Sequence, residues 1–126
     1  MSLNRRQFIA GSTAAAGILL TSRSFARQAR KLSANDKLNL GVIGVAGRGG
    51  ENLDGVKHQN IVALCDVDEG RLNGAAVKFP GAAKFSDYRK LIDHPGLDGI
   101  VVSTPDHTHA IIAIAALQSG RPVYCE

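Results

Sequence analysis

The chain is poor in aromatic and sulfur-containing side chains. Its 126 residues include no tryptophan, two tyrosines, four phenylalanines, one methionine and two cysteines. The cysteines, Cys65 and Cys125, stand far apart without C-x-x-C spacing, so neither a metal site nor a redox motif is indicated. Each lies in an apolar run and is expected to be a small core residue. A disulfide between them in an oxidising compartment is the alternative.

Long apolar runs are also scarce. The run Phe8–Leu20 would span roughly 20 Å as a helix at about 1.5 Å per residue, which is short of the ~30 Å hydrocarbon core of a membrane. It follows Arg5-Arg6 and precedes Ser24-Phe25-Ala26, a small-x-small sequence typical of a cleavage site. We therefore predict that residues 1–26 are a twin-arginine-type signal peptide, recognised by the twin-arginine export machinery and directing export to the periplasm. An ordinary secretory leader and a membrane anchor are the alternatives.

Excess basic charge is confined to the start of the chain. Of 15 basic and 11 acidic residues, residues 1–37 carry seven and one, which leaves eight and ten for residues 38–126. The net charge of +4 therefore belongs to the leader, and the remainder is mildly acidic. Nucleic acid is not an expected partner of such a domain.

The rest of the chain predicts a linker and one domain. Residues 27–37 are polar and patternless, whereas short apolar runs alternate with helical patterns over residues 38–126. Strands are predicted at 38–45, 60–67, 82–85, 97–104 and 122–126, and helices at 49–58, 68–79, 87–93 and 106–120. This alternation is typical of an α/β fold with a doubly wound, Rossmann-type parallel sheet, here incomplete at its C-terminal edge. Ligands of such sheets bind beyond the carboxyl ends of the strands.

The loop after the first strand resembles a phosphate-binding turn. In "GVIGVAGRGG" the pattern G-x-G-x-x-G falls on Gly44, Ala46 and Gly49, with alanine at the second glycine position. Gly44 is expected to permit the tight turn and Gly49 the close packing of helix on strand. Ala46 adds a methyl group where a diphosphate approaches, while Gly47 keeps the turn flexible. We predict a weakened but working dinucleotide site; a purely structural turn is the alternative.

The loop after the second strand carries a carboxylate. Asp66 follows Gly44 by twenty-two residues. At this place it can accept hydrogen bonds from both ribose hydroxyls of an adenosine, and it would repel a 2′-phosphate. NAD is therefore predicted over NADP. As an alternative, Asp66 caps the next helix, a role that Asp68 fills at least as well.

The loop after the fourth strand, "STPDHTH", spans residues 103–109. Asp106 is expected to cap the helix that follows, and Gly120 to end it as C′. His107 and His109 are two positions apart and diverge on a helix, so they do not suit a shared metal ion.

With these loops in view, about residues 37–126 resemble the Gfo/Idh/MocA family of NAD(P)-dependent oxidoreductases. The segments "GVIGVAGRGG", "ALCDVDEGRL", "DYRKLID" and "DGIVVSTPDHTHAIIAIAALQSGRPVYCE" are similar in order and spacing to that family's nucleotide-binding domain. The resemblance implies that Gly44, Arg48 and Gly49 lie near the cofactor diphosphate. It also implies that Asp66 binds the adenosine ribose.

For the other end of the cofactor, the resemblance implies that Thr104, Pro105 and His109 line the nicotinamide side of the cleft. Glu126 would begin the family's E-K-P signature. The lysine and proline of that signature and the family's second domain are absent from this sequence. No catalytic residue is therefore assigned, and these residues alone are expected to be inactive.

The sequence thus predicts the exported NAD-binding domain of an oxidoreductase acting on a sugar or cyclitol. The substrate would bind only together with the missing second domain. A non-catalytic nucleotide-binding or sensor module is the alternative. A methyltransferase is a third interpretation, since enzymes that use S-adenosylmethionine also have a glycine-rich turn and an acidic residue after the second strand.

Overall fold

A computed structural model describes residues 30–126, so the predicted signal peptide and the first residues of the linker lie outside the described residues. Residues 30–37 contain one turn and no helix or strand. The Arg30 side chain lies 3.7 Å from the carboxylate of Asp98 and donates a hydrogen bond to the Lys37 carbonyl (2.8 Å). Arg30 therefore joins the two ends of this segment and also contacts the domain at Asp98.

The domain contains five strands and four helices in alternation. The strands are β1 (Asn39–Ile43), β2 (Asn60–Cys65), β3 (Ala83–Phe85), β4 (Gly99–Val102) and β5 (Val123–Cys125). The helices are α1 (Arg48–Val56), α2 (Glu69–Lys78), α3 (Tyr88–Ile92) and α4 (Asp106–Gln118). All pairings are parallel, in the order β3-β2-β1-β4-β5. The predicted doubly wound α/β fold is confirmed, with the fifth strand at an edge.

Two apolar layers cover the sheet because neighbouring residues of a strand point to opposite faces. Val42 of β1 packs with Leu53 of α1 and Leu72 of α2 on one face. Ile43 packs with Leu91 of α3 and Ile112 of α4 on the other. All four residues of β4 are buried, as expected for a strand covered on both faces.

The helix ends agree with the sequence prediction in part. The Asp68 carboxylate caps α2 by accepting from the Arg71 backbone N–H (3.1 Å), and Gly120 follows α4 with a φ of +79°. The prediction that Asp106 caps α4 is wrong. Pro105 occupies the N-cap position, and Asp106 lies within the first helical turn, where its charge favours the helix dipole without capping it.

Among residues 30–126, none of the helices combines the length and apolar character that a transmembrane span requires. The same part of the chain holds no group of three histidine, cysteine or acidic side chains placed to bind a metal ion.

The two cysteines have different environments. Cys65 is buried in β2, but the prediction that Cys125 is a core residue is wrong, because it is exposed on the edge strand β5. Both thiols are free, and they lie in one row of the sheet across β2, β1, β4 and β5. Three strand spacings of about 4.8 Å separate their backbones by roughly 14 Å, beyond the ~7 Å limit for a disulfide. An intramolecular disulfide is therefore excluded.

We predict that a thiol reagent modifies Cys125 in the folded chain and Cys65 only after unfolding. Burial, reinforced by the nearby carboxylates of Asp66 and Asp87, raises the pKa of the Cys65 thiol to about 12, which suppresses its reactive thiolate. Mass spectrometry after alkylation checks this, with Cys125→Ser as the control that should abolish labelling of the folded protein. Labelling of both thiols without denaturant would contradict the described burial.

Candidate functional site

A cleft of about 630 Å³ opens at the carboxyl edge of the sheet. The loops after β1, β2, β3 and β4 supply its walls. Side chains or backbone from all four loops line it: Gly44, Ala46, Asp66, Val67, Arg71, Ser86, Tyr88, Arg89, Ser103, Thr104, Pro105, His107, Thr108 and Ile111. The cleft therefore lies where a doubly wound sheet reverses its strand order, since β1 is flanked by β2 and β4.

The turn after β1 is built on two backbone approaches that leave no room for a side chain. Gly44 has a φ of +86°, and a Cβ there would lie 2.4 Å from the carbonyl oxygen of Ser103. A Cβ at Gly49 would lie 2.2 Å from the carbonyl oxygen of Gly44. These contacts account for glycine at both positions and bring the start of α1 against β1 and β4.

Ala46 stands between these glycines and lines the cleft. No described residue other than glycine has a positive φ, so Ala46 has an ordinary backbone conformation. The positive φ falls instead on Gly47, where φ is +56°. A Cβ added there would meet nothing within 4 Å. The turn thus accommodates alanine because its neighbour takes the unusual dihedral angle.

The start of α1 presents backbone N–H groups toward this turn. Its N-cap residue is Gly47, and no side chain caps the helix. The N–H groups of Gly49, Gly50 and Glu51 already donate to the Ala46 and Gly47 carbonyls, so this helix start offers mainly the positive end of the helix dipole. An uncapped start beside a cleft is a common site for a phosphate group.

Asp66 faces the same cleft from the end of β2. Its Oδ2 accepts from the backbone N–H of Val45 (3.1 Å) and its Oδ1 from that of Asp68 (3.0 Å). Since Asp68 caps α2, Asp66 is not the helix cap. It ties the glycine-rich turn to the β2–α2 loop, and each carboxylate oxygen keeps a lone pair for a further donor.

The loop after β4 forms the opposite wall. Thr104 and Pro105 line the same cleft as Asp66. His109 does not line it; its Nε2–H donates to the carbonyl of Thr104, which fixes the turn into α4. His107, exposed at the start of α4, lines the cleft instead. The resemblance assigned His109, which supports the loop, to the cofactor site. It did not assign His107, which lines the cleft.

Sequence reasoning also missed five residues after β2 and β3 that line the cleft: Val67, Arg71, Ser86, Tyr88 and Arg89. Val67 is 90 % exposed, and Arg71 lies on the first turns of α2 with its Nε 3.5 Å from the Asp68 carboxylate. Tyr88 at the start of α3 contacts the guanidinium of Arg89, 4.6 Å from the ring centre. Arg71 follows Asp66 by five residues in the sequence. This short spacing is the signal that could have placed Arg71 at the same edge of the sheet.

Arg48 and Glu126 meet beside the cleft rather than in it. Arg48 Nε donates to Glu126 Oε1 (3.0 Å), its Nη2 contacts the same oxygen, and its Nη1 donates to Glu51 (2.6 Å). Hydrogen bonds from Tyr124 and Arg48 hold the pKa of Glu126 below its usual value. The hydrogen bond to Glu126 is likewise the main reason that the pKa of Arg48 is raised. Both side chains therefore remain charged.

Residues 38–126 match the model of the Gfo/Idh/MocA family, described as an oxidoreductase family with an NAD-binding Rossmann fold. The chain belongs to this family. Residues 38–126 are accordingly the NAD-binding Rossmann domain of this family, and the match favours neither the sensor-module nor the methyltransferase alternative.

Among curated relatives of the Gfo/Idh/MocA domain, inositol 2-dehydrogenase 2 of Saccharopolyspora erythraea is 39 % identical over 71 % of the chain and 27 % of its own length. A glycosyl hydrolase family 109 protein of Stenotrophomonas maltophilia is 31 % identical over 99 % of the chain and 30 % of its own length. The chain thus spans less than a third of the length of these relatives.

Solved structures agree with the fold. A probable dehydrogenase from Thermotoga maritima superposes with a TM-score of 0.64 at 30 % identity, over 70 % of this chain and 27 % of that one. A myo-inositol dehydrogenase from Lactobacillus casei, in complex with NAD(H) and myo-inositol, superposes with a TM-score of 0.66 at 22 % identity, over 71 % and 28 %.

We predict that Gly49→Ala destabilises the domain by roughly 1–3 kcal/mol, because the new methyl group collides with the Gly44 carbonyl. Gly55→Ala on the same helix is the matched control. An added Cβ there meets nothing within 4 Å, so it should stabilise by about 0.5–1 kcal/mol through helix propensity. Urea unfolding at unchanged m-value measures both, and equal effects would contradict the described packing.

Proposed function

We propose that this domain binds NAD in preference to NADP, and that the whole protein oxidises or reduces a sugar or cyclitol. The carboxylate of Asp66 at the end of β2 carries the cofactor assignment. Asp66 lines the cleft, and backbone N–H groups hold both of its carboxylate oxygens in place. The inositol 2-dehydrogenases among the relatives support the substrate class.

The residues present fit a dinucleotide. Its diphosphate would lie at the uncapped start of α1, beside Gly44, Ala46, Gly47 and Gly49, where no side chain competes for the helix N–H groups. The adenosine ribose would lie toward β2, where Asp66 accepts from its hydroxyls. When bound, the nicotinamide would exchange a hydride with the substrate.

Thr104 and Pro105 belong, in this proposal, to the adenosine half of the site rather than to the nicotinamide side that the resemblance implied. They line one cleft with Asp66, Val67 and Arg71. Adenine would lie between the exposed apolar surface of Val67 and the Pro105 ring, and His109 would hold the Thr104 carbonyl that shapes this wall. The nicotinamide would extend the other way, toward β5 and Glu126.

We predict that Asp66→Ala weakens NAD binding by roughly 1–3 kcal/mol, the range for losing a hydrogen bond to a charged group. Because the 2′-phosphate of NADP is no longer repelled and Arg71 is close by, the preference for NAD over NADP should shrink or reverse. Calorimetric titration of both nucleotides measures the ratio, and a general loss of folding would lower both affinities together.

Two comparison variants sharpen this test. Glu69→Gln removes one exposed negative charge from α2 outside the cleft lining and should leave the ratio unchanged. Ala46→Gly removes a methyl group from the cleft wall and should leave NAD binding unchanged or improve it. Preference of the unaltered chain for NADP, or loss of binding in Ala46→Gly, would contradict the assignment.

We also propose that residues 1–26 direct twin-arginine export to the periplasm, with cleavage after Ala26. Arg5-Arg6 and the short apolar run after them support this assignment. Replacing both arginines by lysine should block periplasmic accumulation in a bacterial host, whereas Arg23→Lys, outside the pair, should not. Unchanged accumulation of the double-lysine variant would contradict the route.

A further inference from the structure

Arg48 lies between the proposed diphosphate position and the end of β5. It is the first residue of α1, directly after the glycine-rich turn. Its guanidinium contacts Glu126 and Glu51 and does not line the cleft. Glu126 itself has three further contacts. Its backbone N–H donates to the Val102 carbonyl (3.0 Å), its Oε2 accepts from the Tyr124 hydroxyl (2.6 Å), and its carboxylate accepts a hydrogen bond from the Asn52 side chain.

The Arg48–Glu126 ion pair is suited to exchange. The Arg48 side chain is 61 % exposed and that of Glu126 36 % exposed, and ion pairs at such positions are weak because water screens them. A diphosphate carries two charges and can accept from a guanidinium in bidentate fashion. Placed at the start of α1, it would compete with Glu126 for the same N–H donors. After Arg48 leaves, Glu126 keeps the Tyr124 hydroxyl as a partner.

We propose that Arg48 exchanges partners when the cofactor binds, moving from Glu126 to the diphosphate and so weakening the contact between α1 and the end of β5. This inference rests on the proposed function, since it requires the diphosphate at this turn. Its consequence is that Glu126, which directly follows β5, loses the ion pair to α1 when the cofactor binds and keeps the hydrogen bond with Asn52. Cofactor occupancy is thereby communicated from the glycine-rich turn to the nicotinamide side of the site.

If Arg48 exchanges partners in this way, removing the Glu126 carboxylate should increase the affinity for a diphosphate. Glu126→Gln removes the competitor and should tighten ADP binding by about two- to fivefold, the size of an exposed ion pair. Arg48→Gln should weaken ADP binding, and in that background Glu126→Gln should change nothing further. Adenosine, which has no diphosphate, should bind all variants equally. Calorimetric titration of the full chain with ADP and with adenosine provides both readouts.

Asp54→Asn is the control for general electrostatics. Asp54 lies on the same helix but pairs with Lys78 (3.6 Å) instead of Arg48. If Glu126→Gln binds ADP no tighter than Asp54→Asn does, or binds it more weakly than the unaltered chain, the exchange is wrong while the NAD assignment stands. If the unaltered chain binds neither NAD nor ADP, the proposed function is overturned and the exchange with it.

Discussion

The close approach of three backbone segments at the turn after β1 is the constraint on which the rest of the structure depends. Gly49 packs on the carbonyl of Gly44, and Gly44 packs on the carbonyl of Ser103. Without side chains at these positions, α1 can begin directly beside the ends of β1 and β4. The start of α1 is set by that approach. Its position determines where Arg48 lies, and the turn before it forms one wall of the cleft.

The fold could be predicted from the sequence because its signals are local. Apolar periodicity gave the nine elements in the right order, and the uninterrupted run at β4 indicated a strand covered on both faces. The errors arose where the outcome depends on neighbours. Cys125 lies in an apolar run but on an edge strand, and Asp106 has a capping side chain, but Pro105 already occupies the N-cap position.

The candidate site could be predicted only where the place of a residue along a strand is enough to locate it. Asp66 ends a strand, and parallel strands end at one edge of the sheet, so its place in the cleft followed from the pattern. The contact of Arg48 with Glu126 joins residues 78 positions apart. It exists because β4 lies between β1 and β5, an order that alternation alone does not specify. The support that His109 gives to Thr104 depends in the same way on side-chain direction at the start of α4.

The preference for NAD that we propose for this domain would depend on rigidity as much as on charge. A free carboxylate could rotate away from a 2′-phosphate, but the two backbone N–H groups on Asp66 hold it in place. Moving it would break the link between the glycine-rich turn and the β2–α2 loop, so the proposed repulsion of NADP would be maintained by the same hydrogen bonds that join these two loops. In the proposed function, diphosphate binding and ribose selectivity would therefore depend on the same hydrogen-bonded loops.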